Sequence, residues 1–320
     1  MTVRLFILFS ALISLSVTAN PLEEVCVHFW KHLRTTYVKI GGQTAPKGDA
    51  VFEIATKLLP HIRGPIHLDI SHNKTFLRPA PVAHLLTDHP HVTQLDLSHN
   101  PLADNFFFFP PFKRLTYLNL SYTGISFSSS YKVGELLSNN DHLTGLSLSG
   151  NGWDDLCAEP VAGILRSNNT LKHLNLDHNK LRDRAAKELG TSLANSTLES
   201  LTLSHNKISN GGAIALAEAL QGSTLKAFDL SHNRIGDKGA DAFVRLLSNP
   251  SSLRWLYLHD NPFGEKAACD LISAFIKVSP GLGAFTISST SPEGQECISE
   301  AQTKHPNLNP HLKRTEVTRQ

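Results

Sequence analysis

The stretch LTLSHNKISNGGAIALAEAL, residues 201–220, is followed 27 residues later by FDLSHNRIGDKGADAFVRLL, residues 228–247. The two are near copies, and the first nine residues of the pattern recur up and down the chain. LTYLNLSYT begins at Leu115, LTGLSLSGN at Leu143, LKHLNLDHN at Leu171, LESLTLSHN at Leu198, LKAFDLSHN at Leu225 and LRWLYLHDN at Leu253. Upstream, PIHLDISHN begins at Pro65 and VTQLDLSHN at Val92; LGAFTISST, from Leu282, is a worn last copy. Self-similarity at a fixed period marks an array of stacked structural units.

Within one copy the apolar residues alternate, so Leu174 and Leu176 point inward from a short strand and Asn175 points out. Behind each strand the apolar spacing changes. After Asn233, the residues Ile235, Ala240, Phe243 and Leu247 recur at helical intervals. Most repeats are 27–29 residues long, enough for a strand out and a helix back. The apolar-x-x-apolar-x-apolar-x-x-Asn frame resembles the leucine-rich repeat, and the period with its Gly-Ala helix start resembles the ribonuclease-inhibitor type. That resemblance implies an α/β fold, a curved right-handed horseshoe with parallel strands on the concave face and helices on the convex face. It covers residues from about 43 to 290.

The terminal Asn of each frame has a structural reading. Its amide satisfies backbone groups left open where the chain leaves the strand, since buried polar groups need partners. Asn73, Asn100, Asn151, Asn179, Asn206, Asn233 and Asn261 should therefore form a ladder. Thr123 interrupts it, and SFSSSY is expected to precede a helix there. The repeat from Val92 to Arg114 carries NFFFFPPF, whose two prolines exclude a helix interior.

Residues 1–19 are a secretory signal: one charge at Arg4, an apolar run from Leu5 to Val17, and small residues at Val17 and Ala19. Residues 20–64 supply a cap helix, with Leu22, Val25, Phe29 and Leu33 on one face, and an incomplete first repeat. Repeats fill 65–290, and 291–320 form a C-terminal cap helix and polar tail. Localisation is then secreted or extracytoplasmic, with delivery into a host cell as one route.

Thirty Lys and Arg against 28 Asp and Glu leave a net charge of +2, which gives no reason to expect nucleic acid or an anionic membrane as partner. No second apolar run is long enough to span a bilayer, so no membrane insertion is expected after signal cleavage. Four cysteines in 320 residues are too few for a disulfide scaffold. Cys26 and Cys157 read as buried thiols, while Cys269 and Cys297, one repeat apart, leave a disulfide open. Sequons at Asn168 and Asn195 fall in loops; those at Asn73 and Asn119 fall in the frame.

No phosphate loop, nucleophile elbow or paired-cysteine motif is present, so no enzyme activity and no cofactor are expected. Histidines precede the ladder Asn at positions 72, 99, 178, 205 and 232. A ladder offers parallel rings where a transition metal wants converging ligands, so no metal site is expected from them. What remains is the outward strand face. Tyr117 with Tyr122, and Trp255 with Tyr257, concentrate aromatics where there is no core to fill, and His259 and Asp260 extend the second group. With His173 and Asp229 they make a candidate binding face for a protein partner, on a chain expected to be a monomer. By resemblance the class is protein recognition, including inhibitors, receptors and exported bacterial effectors. A structural scaffold of the envelope or matrix, and a hydrolase using strand-edge His and Asp residues, are the alternatives.

Overall fold

A computed structural model of the chain describes residues 13–20, 23–32, 35–40, 50–73, 78–102, 112–138, 140–249, 251–278 and 284–287, together with Ser299 and Thr303. The chain divides into two compact halves, Met1–Asn151 and Gly152–Gln320. The N-terminal half holds strands β1 (Ile13–Asn20), β2 (Glu23–His32), β3 (Thr35–Ile40), β4 (Ile66–Asp69), β5 (Val92–Asp96), β6 (Tyr117–Asn119) and β7 (Gly145–Ser147). Its helices are α1 (Ala50–Leu58), α2 (Pro79–Asp88) and α3 (Phe127–Ser138). From β3 to β7 each strand pairs in parallel with the next. The C-terminal half alternates α4 (Ala158–Ser167), β8 (His173–Asn175), α5 (Asp183–Leu193), β9 (Ser200–Thr202), α6 (Asn210–Leu220) and β10 (Ala227–Asp229). It continues through α7 (Asp237–Leu247), β11 (Trp255–Tyr257), α8 (Glu265–Val278) and β12 (Ala284–Thr286), the strands again parallel. The worn copy at Leu282 thus still forms a strand.

Two expectations are corrected. Within the segment read as a cap helix, Glu23–His32 is a strand: β2 runs antiparallel to β1 and to β3. The segment VCVHFW satisfies a period of two as well as of 3.6, and its β-branched and aromatic residues favour the pleated strand. β1 itself lies almost wholly inside the stretch read as a signal. The second correction is that SFSSSY does not precede α3 but begins it. Ser129 N donates to Ser126 O at 3.1 Å and Ser130 Oγ to Phe127 O at 2.6 Å, so local hydroxyl bonding helps close the first turn. The phenylalanine run and nearly all of the C-terminal cap lie outside the described residues.

The asparagine ladder forms, and it joins neighbours. Asn206 Nδ2 donates to Leu203 O in its own repeat and to Leu176 O in the preceding one, both at 3.0 Å. Its Oδ1 accepts Leu181 N at 3.0 Å. Asn233 and Asn261 repeat the arrangement one and two steps later. In the N-terminal half Thr123, where the ladder is interrupted, bonds Leu120 O at 2.7 Å within its own repeat.

A second ladder runs along the helix starts of the C-terminal half. The residues before α5, α6 and α7 make no side-chain cap of their own. Instead the first residue of one helix caps the next. Asp183 Oδ1 accepts Ser209 N at 2.6 Å, and Asn210 Oδ1 accepts Gly236 N at 2.8 Å and Gly239 N at 2.9 Å. Asp237 Oδ1 accepts Gly264 N at 2.6 Å. Such close docking excludes a side chain at Gly239, where a Cβ would fall 2.9 Å from Asn210 Oδ1. Open N–H groups at helix starts are satisfied between repeats, so each helix orders its neighbour.

Candidate functional site

Strand pleating sorts each repeat into an inner and an outer set. On β11 Leu256 is fully buried, while Trp255 beside it is 41% exposed. Register aligns Trp255 with Ala227, Ala227 with Ser200, and Ser200 with His173. His173 and Trp255 therefore stand three strands apart, roughly 14 Å at the usual strand spacing. The structure does not bring them together. It sets them on either side of a floor of two small side chains, Ser200 and Ala227. One row over, Asp229 lies opposite Tyr257, and burial, with the Asp229 charge, raises the Tyr257 phenol above its ordinary pKa.

Along the near edge of this face runs a charged strip that the sequence reading overlooked. Lys172, Glu199, Lys226 and Arg254 each follow the first Leu of a frame, a row that repeat alignment alone could have revealed. They border an open groove of about 450 Å³ floored by Thr197, Thr224 and Ser252. Lys226 Nζ lies 2.6 Å from Glu199 and Lys172 Nζ 3.8 Å, and the Lys226 hydrogen bond holds the Glu199 carboxyl below its ordinary pKa. Three cations against one anion leave the groove positive.

At the opposite edge is the histidine row. Among the described residues, the slot before the ladder position has φ between 52° and 58° at His72, His99, Tyr122, His178, His205, His232 and Asp260, and 68° at Gly150. Side chains leaving from this left-handed slot stack. His178 on His205 and His205 on His232 have ring centroids 4.0 and 3.9 Å apart with planes within 12°. Burial, then the neighbouring His232 and His178, lowers the His205 pKa.

The N-terminal half splits the expected tyrosine pair between rows. Tyr122, 42% exposed, caps a stack on His99 at 4.6 Å and covers Gly150, where a Cβ would fall 2.3 Å from its ring. Tyr117 belongs to the strand face, over Gly145 and 6.0 Å from the His67 ring. A cluster missed in the sequence lies beside it. Tyr37 OH and Lys39 Nζ both donate to Asp69 Oδ2, the latter at 2.9 Å. The signal was there: β3 aligns Tyr37 with His67 and Lys39 with Asp69. His67 Nε2 is buried with no hydrogen bond, and burial lowers its pKa against the pull of Asp96 and Asp69.

Cys157 is a buried free thiol, its pKa pushed up to about 11 by burial. Cys269 is disulfide-bonded, and Cys297 lies outside the described residues.

Comparison with known proteins follows the same repeats. A family model described as "Leucine Rich repeat" matches residues 88–105, 167–190, 194–217 and 223–244. These four segments of the chain are leucine-rich repeats by sequence, and the strand–helix alternation carries the same pattern beyond them. Among solved structures, an internalin (inlF) from Listeria monocytogenes is 16% identical, covering 90% of this chain and 88% of its own, with a TM-score of 0.47. The TLR13–ssRNA13 complex is 18% identical over 80% of this chain and 32% of that one, with a TM-score of 0.42. Leiomodin-1 actin-binding site 2 is 17% identical, covering 39% and 74%, with a TM-score of 0.34. No curated protein matches the chain by sequence. Leucine-rich repeats are in general protein-binding, non-enzymatic modules.

Proposed function

We propose that this leucine-rich-repeat protein is secreted and recognises one partner protein through its outward strand residues. Trp255 carries the reading. A tryptophan held 41% exposed beside a fully buried Leu256 gains little for the fold where it stands, and exposed aromatics of this kind anchor interfaces. Around it, Tyr257, Asp229, His259 and Asp260 supply polar contacts, His173 marks the far wall, and Ser200 and Ala227 leave room between. The positive groove favours a partner with acidic groups at that rim. In the N-terminal half, Tyr117 on the strand face and Tyr122 on the histidine row are offered as two individual contacts.

Secretion rests on the apolar run ending at Val17-Thr18-Ala19 and on the Cys269 disulfide, a bond suited to oxidising compartments. Cleavage after Ala19 removes all of β1 except Asn20 and leaves β2 first in order. Sequencing the mature N-terminus from the native source should give Asn20; an intact Met1 would remove the secretory part of the reading.

Recognition is tested by affinity capture with immobilised protein from the source culture and from cells it contacts. Wild-type protein should retain one stoichiometric partner, and the double variant Trp255→Ala, Tyr257→Ala should lose it. Equal capture by both would locate recognition elsewhere.

A further inference from the structure

The histidine row of the C-terminal half ends differently from the way it begins. Stacked rings aim their nitrogens along parallel lines, so His178, His205 and His232 by themselves give an ion nothing that converges. The repeat from Leu253 changes the wording from Ser-His-Asn to His259-Asp260-Asn261. His259 occupies the place of the usual serine, and its ring stands at 83° to His232, with centroids 5.3 Å apart. Asp260 occupies the left-handed slot of the histidine, and its Oδ2 lies 3.2 Å from His232 Nε2. One ligand atom from each of the three residues lies within 4.8 Å of the other two. Convergence begins where the stack ends.

We propose that His232, His259 and Asp260 bind a divalent transition-metal ion of the zinc class. Metal–nitrogen and metal–oxygen bonds of about 2.0–2.2 Å place neighbouring ligands of a tetrahedral ion roughly 3.3 Å apart. The His232–Asp260 spacing is already there. The remaining separations, at most 4.8 Å, close by roughly 1.5 Å through rotation of part-exposed side chains between rotamers. The backbone beneath them is fixed. Asn261 Nδ2 bonds Leu230 O at 2.9 Å and Leu258 O at 3.0 Å, and His232 N bonds His259 O at 3.0 Å.

Two imidazoles and one carboxylate favour zinc, nickel or copper over magnesium or calcium, which prefer all-oxygen sets. Three protein ligands leave a position open for water or a group from outside. That position opens two residues from Tyr257, beside the proposed recognition face, though metal binding itself does not depend on that reading.

Calorimetric titration of metal-stripped protein with zinc chloride, then separately with nickel chloride, tests the site. Wild-type protein should show one saturable site. His259→Ala and Asp260→Asn should each weaken it at least tenfold, and His178→Ala, within the parallel stack, should leave it unchanged. Asparagine tolerates the left-handed slot, so Asp260→Asn reports on the carboxylate while the fold is kept. Absence of a saturable site in the wild type, unchanged affinity in either ligand variant, or equal loss in His178→Ala would overturn the proposal.

Discussion

Asp69 in the N-terminal half, which is buried, and Asp177 in the C-terminal half, which is half-buried, both accept a serine amide, at 2.9 and 2.7 Å. Their pKa values move in opposite directions. Burial raises both, but around Asp69 the donors Ser71, Tyr37 and Lys39 outweigh it and bring the carboxyl below its ordinary value. At Asp177 burial prevails and the value rises to about 6. The Thr202 hydroxyl and the Ser204 amide pull it down without offsetting burial, to which the Asp229 charge adds. The reason is a displaced acceptor. In other repeats the strand residue two before the serine slot caps its own chain: Asp69 to Ser71, Asp96 to Ser98, Asn119 to Ser121, Asp229 to Ser231. Thr202 occupies that strand position and Asp177, from the preceding repeat, supplies Ser204 N instead. One half surrounds its carboxylate with donors. The other asks a carboxylate to serve a neighbour and leaves it under-supported.

Four experiments bear on this contrast. The largest loss should follow Asn206→Ala, which strips partners from Leu176 O, Leu203 O and Leu181 N; urea unfolding should show about 3–4 kcal/mol lost. Thr123→Ala, at the interrupted rung, should cost only about 1 kcal/mol. Equal costs would erase the distinction between the ladders.

Asp69→Ala should lower stability by about 2–3 kcal/mol, because Tyr37, Lys39 and Ser71 N lose a common charged acceptor. Since its folded pKa is depressed, the wild-type contribution is complete above the unfolded value near 3.8 and disappears as pH falls below it. Acid unfolding of wild type and variant should therefore converge at low pH.

Asp177→Asn should act in the opposite sense. The folded state holds this proton more tightly than the unfolded one, so stability falls as pH rises from about 4 to about 6. Asparagine keeps an acceptor for Ser204 N and carries no charge. At pH 7 it should gain roughly 1 kcal/mol, modest because the site is part-exposed and screened, and at pH 4 nothing. A loss at pH 7 would mean the charge is supported after all.

The legible part of the molecule was whatever repeats. Leu203, Phe228 and Asn206 announce the inward positions and the ladder because each has counterparts 27 or so residues away. Gly150, standing where other repeats have His, Tyr or Asp, was a sign of the left-handed slot that went unread. Asp177 and Thr202 were not legible, because each is a departure whose meaning exists only in the other. The ladder of helix caps was hidden likewise: Asp183, Asn210 and Asp237 look like ordinary helix-start residues until their partners prove to be in the next repeat. At 23–32 two periodicities fitted one stretch, and the β-branched and aromatic content of VCVHFW, which favours a strand, was passed over for the helical spacing of Leu22, Val25, Phe29 and Leu33. On the outward strand face His173 and Trp255 are both exposed, and the distance between them follows from strand register.

One residue of strand register separates the buried scaffold from the exposed strand face, and β11 holds both within a single element. Thermal and urea unfolding of Leu256→Ala and Trp255→Ala should diverge. Leu256→Ala opens a cavity in the core and should cost roughly 2–5 kcal/mol. Trp255→Ala removes a larger side chain yet should cost no more than about 1 kcal/mol, because its substituents meet solvent. Comparable losses in the two variants would make Trp255 part of the core and contradict the assignment of the strand face to a partner.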